Sequence, residues 1–378
     1  MIARIAILFT ALASLSFEAT AQDKSKTVDF AGETWEINAN KAELVTFYDR
    51  PALHLRQGRM WLNNAVFTNG VIEFDVAYDD NTGFIGFMWR AEDRNKYEEI
   101  YFRSHLSGKP DGVQYTPVEN KNSAWQIFTN ANAVGKIDES FTDWNHVKLV
   151  VKDDKADLYF NSDTPVLHIP DMKTNSKSGE IGLRSNVGGG NKKSAYFSNF
   201  SYRALTAEDT LPAGEVEAIE LPTGLIHNWN ISSNIKEDDI ATVELGTDVL
   251  SELMWQKLGT ETNGILNLSK IANRSRNDNT VLVKLNIISD TEQMKELRFG
   301  YSDRIRLFVN GNLAYSGVAG FRSRDHRFYG TVGPFDTVGI GLKEGNNEII
   351  AAVSENIGGW AFMGAIADQS GLTIAGQD

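Results

Sequence analysis

The segment at residues 69–130 constrains the fold most, because apolar and polar residues alternate along a series of short runs within it. In the first run, NGVIEFDV, the apolar Ile72 and Phe74 alternate with Glu73 and Asp75. Side chains that alternate with a period of two predict β-strands with one buried face. The runs that follow are GFIGFMWR (83–90), YEEIYFRSH (97–105), GVQYTPV (112–118) and AWQIF (124–128). Links rich in Asp, Asn, Gly and Lys separate these runs, so the segment predicts consecutive antiparallel strands.

Similar runs continue on both sides of this segment. Short apolar alternations occupy residues 27–67, with predicted turns at 38–40 and 49–51, and further strands are predicted at 145–152, 156–160, 179–184 and 194–203. The chain contains 32 glycines, 10% of its residues are aromatic, and it has no long heptad pattern. This pattern predicts an all-β protein with many turns.

The N-terminus has the pattern of an export signal. A charged Arg4 precedes an apolar run at residues 5–15, and Ala19-Thr20-Ala21 fits a small-residue cleavage site. We therefore expect residues 1–21 to be a secretory signal peptide and the mature chain to be periplasmic or extracellular. The chain has no cysteine, which excludes disulfides, thiolate metal sites and a lipid-anchored form. No later segment has the length of a membrane span.

The net charge of the chain indicates which class of partner it does not bind. The formal net charge is -13 at pH 7. A chain this acidic repels phosphate backbones, so we expect no nucleic-acid partner.

The order of the predicted strands up to residue 203 resembles a known family. NGVIEFDV is followed by GFMWR, YEEIYFR, WNHVKLVV, GEIGLR and finally AYFSNFSY. This order is similar to the concanavalin A-like lectin/glucanase sandwich, with laminin-G-like modules and the 3-keto-disaccharide hydrolase domain as the nearest branches. The resemblance implies a β-sandwich at residues 22–203 that binds a ligand, a poly- or oligosaccharide, on its concave face.

The chain after this first unit predicts a linker and a second β-unit. Residues 204–224 are acidic, contain Pro212 and Pro222, and lack an alternating run, as is typical of a linker. Beyond it, RLFVNGNLAY predicts a hairpin at Asn310-Gly311, since both turn positions need positive φ. With LKEGNNEI and GGWAF, residues 225–378 resemble a galactose-binding-like jelly roll. That resemblance implies possible sugar binding through loops such as FRSRDHRFYG (321–330), and it allows structural calcium, although no ligand spacing indicates a metal site.

The candidate ligand-binding residues lie on the strands of residues 83–128. Alternation places Tyr97, Glu99, Tyr101, Arg103 and His105 on one face. Aromatic rings that stack on sugars and planar polar groups that bind hydroxyls are the chemistry of a carbohydrate-binding surface. The alternative is a face whose charged groups pair only with one another. Neighbouring strands are expected to add Arg90, Gln114 and Gln126 to this face, with Tyr115 and Trp125 near its rim.

Catalysis is the second hypothesis. Glu99, His105 and Asp111 are candidates for acid/base chemistry in a glycoside-acting hydrolase or lyase. The glucanases that the sandwich resembles carry Glu-x-Asp-x-x-Glu; Glu73-Phe74-Asp75 matches only its first half, which favours two solvated carboxylates.

Other chemistries lack a motif. There is no HxH or HExxH pattern for zinc, no GxSxG elbow for a serine nucleophile, and GGGN at 188–191 lacks the context of a phosphate loop. A third hypothesis, from the laminin-G resemblance, is an adhesion module with a protein partner.

Overall fold

The computed structural model describes residues 26–78, 83–185, 194–211, 214, 216–323 and 331–377. The chain is all-β with antiparallel strand pairing, which confirms the predicted fold class. The proposed signal peptide at residues 1–21 lies outside the described residues. No described helix is long and apolar enough to cross a membrane.

The strands are β1 Thr27–Phe30, β2 Glu33–Phe47, β3 Arg50–Phe67, β4 Gly70–Tyr78, β5 Phe84–Ala91, β6 Tyr97–Arg103, β7 Val113–Glu119, β8 Asn122–Ser123, β9 Val134–Gly135, β10 Asn145–Lys152, β11 Lys155–Phe160, β12 Leu167–Ile169, β13 Gly179–Ser185, β14 Ser194–Arg203, β15 Asn228–Ser232, β16 Trp255–Gly259, β17 Leu266–Asn267, β18 Thr280–Ser289, β19 Gln293–Ser302, β20 Arg304–Val309, β21 Asn312–Val318, β22 Asp336–Leu342, β23 Gly345–Ser354, β24 Ala361–Ala365 and β25 Leu372–Ile374. Within the described residues, helical structure is limited to α1 (Thr247–Ser251) and to 3-10 turns at Ser104–Leu106, Glu237–Ile240 and Leu268–Lys270.

Strands β1–β14 form one curled 14-stranded sheet that folds over on itself. The long strand β3 makes the fold-over, because residues 53–56 pair with β14 whereas residues 58–62 pair with β13. One leaf therefore contains β10, β4 and β14, and the other contains β13, β5, β6 and β7. Their inner sides meet in an aromatic core, where the rings of Phe74 on β4 and Phe87 on β5 lie 5.2 Å apart.

Two local predictions in this unit are wrong. No turn interrupts β2 at residues 38–40, because β2 pairs with β3 from Trp35 to Phe47, and a Cβ on Gly58 would lie 2.2 Å from Ala39 Cα. A glycine is needed at this close approach of two strands. Residues 124–128 form a turn and not a strand, with the Ile127 amide donating to the Ala124 carbonyl at 2.9 Å.

Strands β15–β25 form a seven-stranded and a four-stranded sheet around a second core. Trp229, Phe299, Trp360 and Phe362 are its large buried rings. The predicted Asn310-Gly311 hairpin is confirmed, with positive φ of 51° and 83° at the two turn residues.

The two β-units contact each other closely. Ile265, Val332 and Met363 of the second unit join the same hydrophobic cluster as the sandwich core. Hydrogen bonds cross between the units as well: Asn120 Nδ2 donates to the Ser269 carbonyl at 2.8 Å, and the Gly359 amide donates to Gln126 Oε1 at 2.8 Å. The Val332 amide also donates to the Gln126 carbonyl at 3.3 Å, so the second unit contacts the turn at residues 124–128.

Candidate functional site

The outer side of β13, β5, β6 and β7 carries the predicted polar set. Glu99, Tyr101 and Arg103 of β6 alternate with Ile100 and Phe102, which point into the core. These strand residues lie on one face as predicted, whereas His105 departs from the prediction, because it lies in the 3-10 turn that follows β6. Across the sheet, Tyr101 lies opposite Gln114 and Gly86, Gly86 lies opposite Arg184, and Arg184 lies opposite Arg59. We call this surface, with Arg59, Tyr97, Glu99, Tyr101, Arg103, Gln114 and Arg184, the arginine face.

A hydrogen-bonded network organises its middle. Arg184 forms an ion pair with Glu99, and its Cζ lies 5.4 Å from the centroid of the Tyr101 ring. Arg103 Cζ lies 5.2 Å from the same centroid, and Arg103 Nη2 donates to Tyr101 Oη at 3.0 Å. Tyr101 Oη donates to Gln114 Oε1 at 2.6 Å. One tyrosine is thus held by two guanidinium groups and one amide, and all four groups are fixed in orientation.

One end of the arginine face is apolar. Trp61, Met88, Tyr97 and Val118 form a separate small cluster, with the rings of Trp61 and Tyr97 5.3 Å apart. Arg94 covers it, with Cζ 4.4 Å from the Trp61 ring centroid, and pairs with Glu36 and Glu180.

Most of this face is closed by its own side chains. Glu99 is 1% exposed, Tyr101 5% and Arg184 8%. Burial raises the pKa of Tyr97 to about 12. At the centre of the arginine face, the charged groups therefore pair with one another, which is the alternative to ligand binding stated above.

The opposite end is open. Phe84 is 37% exposed, and its ring centroid lies 5.5 Å from that of the exposed His105. Arg103 Nη1 donates to the Asp111 carbonyl at 3.1 Å and lies 3.9 Å from the Asp111 carboxylate. Burial and the nearby Arg103 charge lower the pKa of His105, whereas Asp111 opposes that shift. Arg103, whose side chain is 12% exposed, is the member of the network next to this end.

Arg90 and Tyr115 do not share the face, so that part of the prediction is wrong. Arg90 has a positive φ of 49°, which breaks the alternation of β5, and its guanidinium donates to the carbonyls of Thr68 (2.8 Å) and Asp153 (2.7 Å). Tyr115 points into the core and donates to Glu98 at 2.7 Å.

Trp125 and Gln126 are also absent from the face, because their segment is a turn against the second β-unit. The Trp125 ring centroid lies 6.1 Å from that of Phe321, and Gln126 is fully buried. Both residues position the two units relative to each other.

The proposed acid/base set does not assemble. Glu99 is occupied by Arg184, and no hydrogen bond or ion pair among the described residues joins Glu99 to His105 or Asp111. No group of three His, Asp or Glu side chains arranged to hold a metal occurs in the described part of the chain. The loop at 188–191 and residues 324–330 lie outside the described residues.

Sequence reasoning missed several residues at this site. Arg184 follows from the alternation of GEIGLR, which places Gly182 and Arg184 on one side of β13, and Arg59 follows from its pairing with β13. Glu139 accepts a hydrogen bond from Ser104 Oγ at 3.1 Å beside the open end. No pattern in the sequence indicates that it lies there. Burial raises its pKa to about 7.

A second concave region lies between the two β-units. It is a cleft of about 450 Å³, lined by residues such as Asn130, Leu221, Arg298 and Met363. Clefts between domains are common ligand sites. Among the described residues its lining includes no aromatic side chain, and these residues offer no stacking surface for a sugar ring.

Comparisons with known proteins give a distant likeness only. No protein-family model matches the sequence, and no curated protein matches it. The carbohydrate binding module CBM66 from Bacillus subtilis is 16% identical over 45% of this chain and 95% of its own, with a TM-score of 0.34. A Bacillus licheniformis beta-glucanase is 10% identical over 48% of this chain and 92% of its own, also with a TM-score of 0.34. A Bacillus subtilis protein of unknown function with a galectin-like fold is 14% identical over 44% of this chain and 88% of its own, with a TM-score of 0.33. Similarity this low carries no argument about the ligand.

Proposed function

We propose that this protein binds a carbohydrate at the open end of the arginine face, after export by the N-terminal signal peptide to the periplasm or cell exterior. The observation that carries the proposal is the fixed arrangement of Arg103, Tyr101, Gln114 and Arg184 behind that end. Polar groups that are already held in place lose little conformational entropy when a ligand binds.

The open end offers the groups that sugars require. The exposed Phe84 ring provides an apolar surface for the CH face of a sugar ring. The planar guanidinium of Arg103 and the imidazole of His105 can bind hydroxyls next to it. Arg59 Nε, elsewhere on the same face, has no hydrogen-bond partner among the described residues.

Binding fits this site better than hydrolysis. Glycoside hydrolysis generally needs two carboxylates that flank one bond. Glu99 is buried in its ion pair with Arg184, Glu139 beside the open end is engaged by the Ser104 hydroxyl, and Asp111 is the remaining carboxylate next to that end. The arrangement leaves one available carboxylate where hydrolysis needs two.

The proposal can be tested by affinity electrophoresis of the mature protein in gels that contain soluble polysaccharides. Phe84→Ala and Arg103→Met should each weaken retention, by about tenfold in affinity for the loss of one stacking or charged contact. Lys109→Met is the matched control, because Lys109 is an exposed cation on the neighbouring turn and should bind as the parent does.

Unchanged retention in both Phe84→Ala and Arg103→Met would reject this site. Release of reducing ends in the same mixtures would favour the hydrolase hypothesis. Capture of a protein partner that added sugars do not displace would favour the adhesion hypothesis.

A further inference from the structure

The opposite leaf of the sandwich has an outer surface with a different character. On β4, Glu73 and Asp75 point away from the core, because Ile72 and Phe74 point into it. Strand β10 pairs with β4 so that His146 lies opposite Asp75. We call this surface, with Arg50, Glu73, Asp75, Trp144 and His146 and the adjoining Tyr48, the histidine face.

Asp75 organises the polar part of the histidine face. Its Oδ1 lies 2.9 Å from His146 Nδ1, and its Oδ2 accepts from Arg50 Nη1 at 2.9 Å and from Asn199 Nδ2 at 2.6 Å. These bonds satisfy Asp75 and fix the His146 ring through Nδ1, which leaves Nε2 as its second polar atom.

His146 Nε2 and the Glu73 carboxylate remain available to a ligand. They are 3.7 Å apart, which is too long for a hydrogen bond, and neither has another hydrogen-bond partner among the described residues. The His146 side chain is 55% exposed and that of Glu73 is 31% exposed. A carboxylate and an imidazole nitrogen thus face solvent side by side, in an orientation set by Asp75.

An aromatic wall stands next to this polar pair. The Trp144 ring centroid lies 6.5 Å from that of Tyr48 and 6.2 Å from that of Phe47, and Phe47 stacks on Tyr196 at 3.7 Å. Arg50 joins the wall to the polar pair: it bonds Asp75, and its Cζ lies 5.6 Å from the Trp144 ring centroid. Tyr48 is the most accessible ring of the wall, at 41% exposed.

The backbone at Tyr48 is unfavourable for a tyrosine, although its ring centroid lies 4.3 Å from that of Phe47 and its hydroxyl donates to the Phe141 carbonyl at 3.5 Å. Tyr48 and Asp49 form the two-residue turn between β2 and β3 and have positive φ of 44° and 55°. Such turns favour Asn-Gly, because side chains larger than Asn are strained in the left-handed region. A tyrosine in this conformation, with an exposed ring beside a tryptophan, points to a function for the ring.

We propose that the histidine face is a second carbohydrate site, which binds a neutral saccharide. The sugar ring stacks on Tyr48 at the edge of the wall, and its hydroxyls bind the Glu73 carboxylate and His146 Nε2. A free carboxylate can accept hydrogen bonds from two neighbouring hydroxyls and repels an anionic sugar. The site shares no residue with the arginine face and lies on the other leaf. The two proposals can therefore be tested independently of each other.

The test uses the full mature protein in affinity gels that contain, in turn, a neutral β-glucan, xylan, mannan and fructan. Tyr48→Asn is the main variant, because Asn suits the turn and the variant should fold at least as well as the parent. Glu73→Gln keeps the side-chain size and removes the charge. Lys152→Gln is the control: it changes a charge at the far end of β10 and should leave retention unchanged.

We expect at least one gel to retard the parent protein, with affinity about tenfold weaker in Tyr48→Asn and also reduced in Glu73→Gln. Arg103→Met, on the opposite leaf, should keep the Tyr48-dependent part of the retention. Parent-like retention in both Tyr48→Asn and Glu73→Gln would overturn the proposal, as would no retardation of the parent in any of the four gels.

Discussion

The two outer faces of the sandwich arise from the same alternation of side chains along their strands. They differ in whether their charged side chains are buried and paired or exposed. On the arginine face, Glu99 and Arg184 are nearly inaccessible and are bound to each other. On the histidine face, Glu73 and His146 remain exposed and are not hydrogen-bonded to each other. Buried charges must be paired, because desolvation of a lone ion is costly, whereas exposed charges can stay free for a ligand. On the arginine face the ion pair therefore fixes the orientation of its own side chains. On the histidine face, Glu73 and His146 keep hydrogen-bonding groups available to a ligand.

The largest expected difference between the faces is in stability. Glu99→Gln leaves Arg184 buried without its counter-charge, and loss of one partner of a buried pair lowers the free energy of unfolding by about 3 kcal/mol. Glu73→Gln on the histidine face should change it by no more than about 0.5 kcal/mol, since the residue is partly exposed and has no close partner. Urea denaturation of the two variants measures both values. Similar losses in the two would show that the faces do not differ in this way.

The double variant Glu99→Gln/Arg184→Met tests whether the unpaired charge of Arg184 causes the loss of stability in Glu99→Gln. It removes the unpaired charge, and it should recover part of the stability that Glu99→Gln loses. A double variant that is less stable than Glu99→Gln alone would mean that Arg184 acts mainly through contacts other than Glu99, such as that with the Tyr101 ring.

The next effect concerns Asp75, the one deeply buried carboxylate of the histidine face. Asp75→Asn weakens bonds to Arg50, Asn199 and His146 at once, and we expect a loss of about 1.5 kcal/mol, as for a charged hydrogen-bonded group. The loss should be smaller than that of Glu99→Gln, because two of its partners, Arg50 and His146, are about half exposed. If Asp75→Asn lowers the free energy of unfolding as much as Glu99→Gln does, the two faces do not differ in how strongly their buried carboxylates stabilise the fold.

The open end of the arginine face should also respond to pH. Burial raises the pKa of Glu139 to about 7, so the folded protein holds its proton more tightly than the unfolded chain does. This contribution to stability is present below pH 4.5 and is lost as pH rises through about 7. In Glu139→Gln the loss of stability between pH 5 and pH 8 should shrink. Identical pH profiles for the variant and the parent protein would contradict the raised pKa.

The smallest effect is at the strained turn of the histidine face. Tyr48→Asn should raise the free energy of unfolding by up to about 1 kcal/mol, because Asn tolerates positive φ better than Tyr does. Thermal unfolding of this variant next to Tyr48→Val, in which β-branching makes the same φ worse, checks the sign. A destabilised Tyr48→Asn would show that the ring is part of the packing.

The alternation in YEEIYFR and NGVIEFDV was sufficient to predict the all-β class and which side of each strand faces outward. It could not predict Arg90, whose positive φ interrupts the alternation of β5, or Trp125 and Gln126, which lie in a turn held by the second β-unit. Contacts between segments far apart in sequence leave no local pattern. For the same reason the prediction of two solvated carboxylates is wrong for Asp75, which is buried and bonded to Arg50, His146 and Asn199.

One measurement tests the central claim, that this protein binds carbohydrate at the open end of the arginine face, most directly. It is the retention of the parent protein, of Arg103→Met, of Tyr48→Asn and of the double variant Arg103→Met/Tyr48→Asn in the same set of polysaccharide gels. We expect Arg103→Met to weaken retention in at least one gel, with the double variant weaker than either single variant. Retention of Arg103→Met that equals the parent's in every gel would contradict the claim, whatever Tyr48→Asn does.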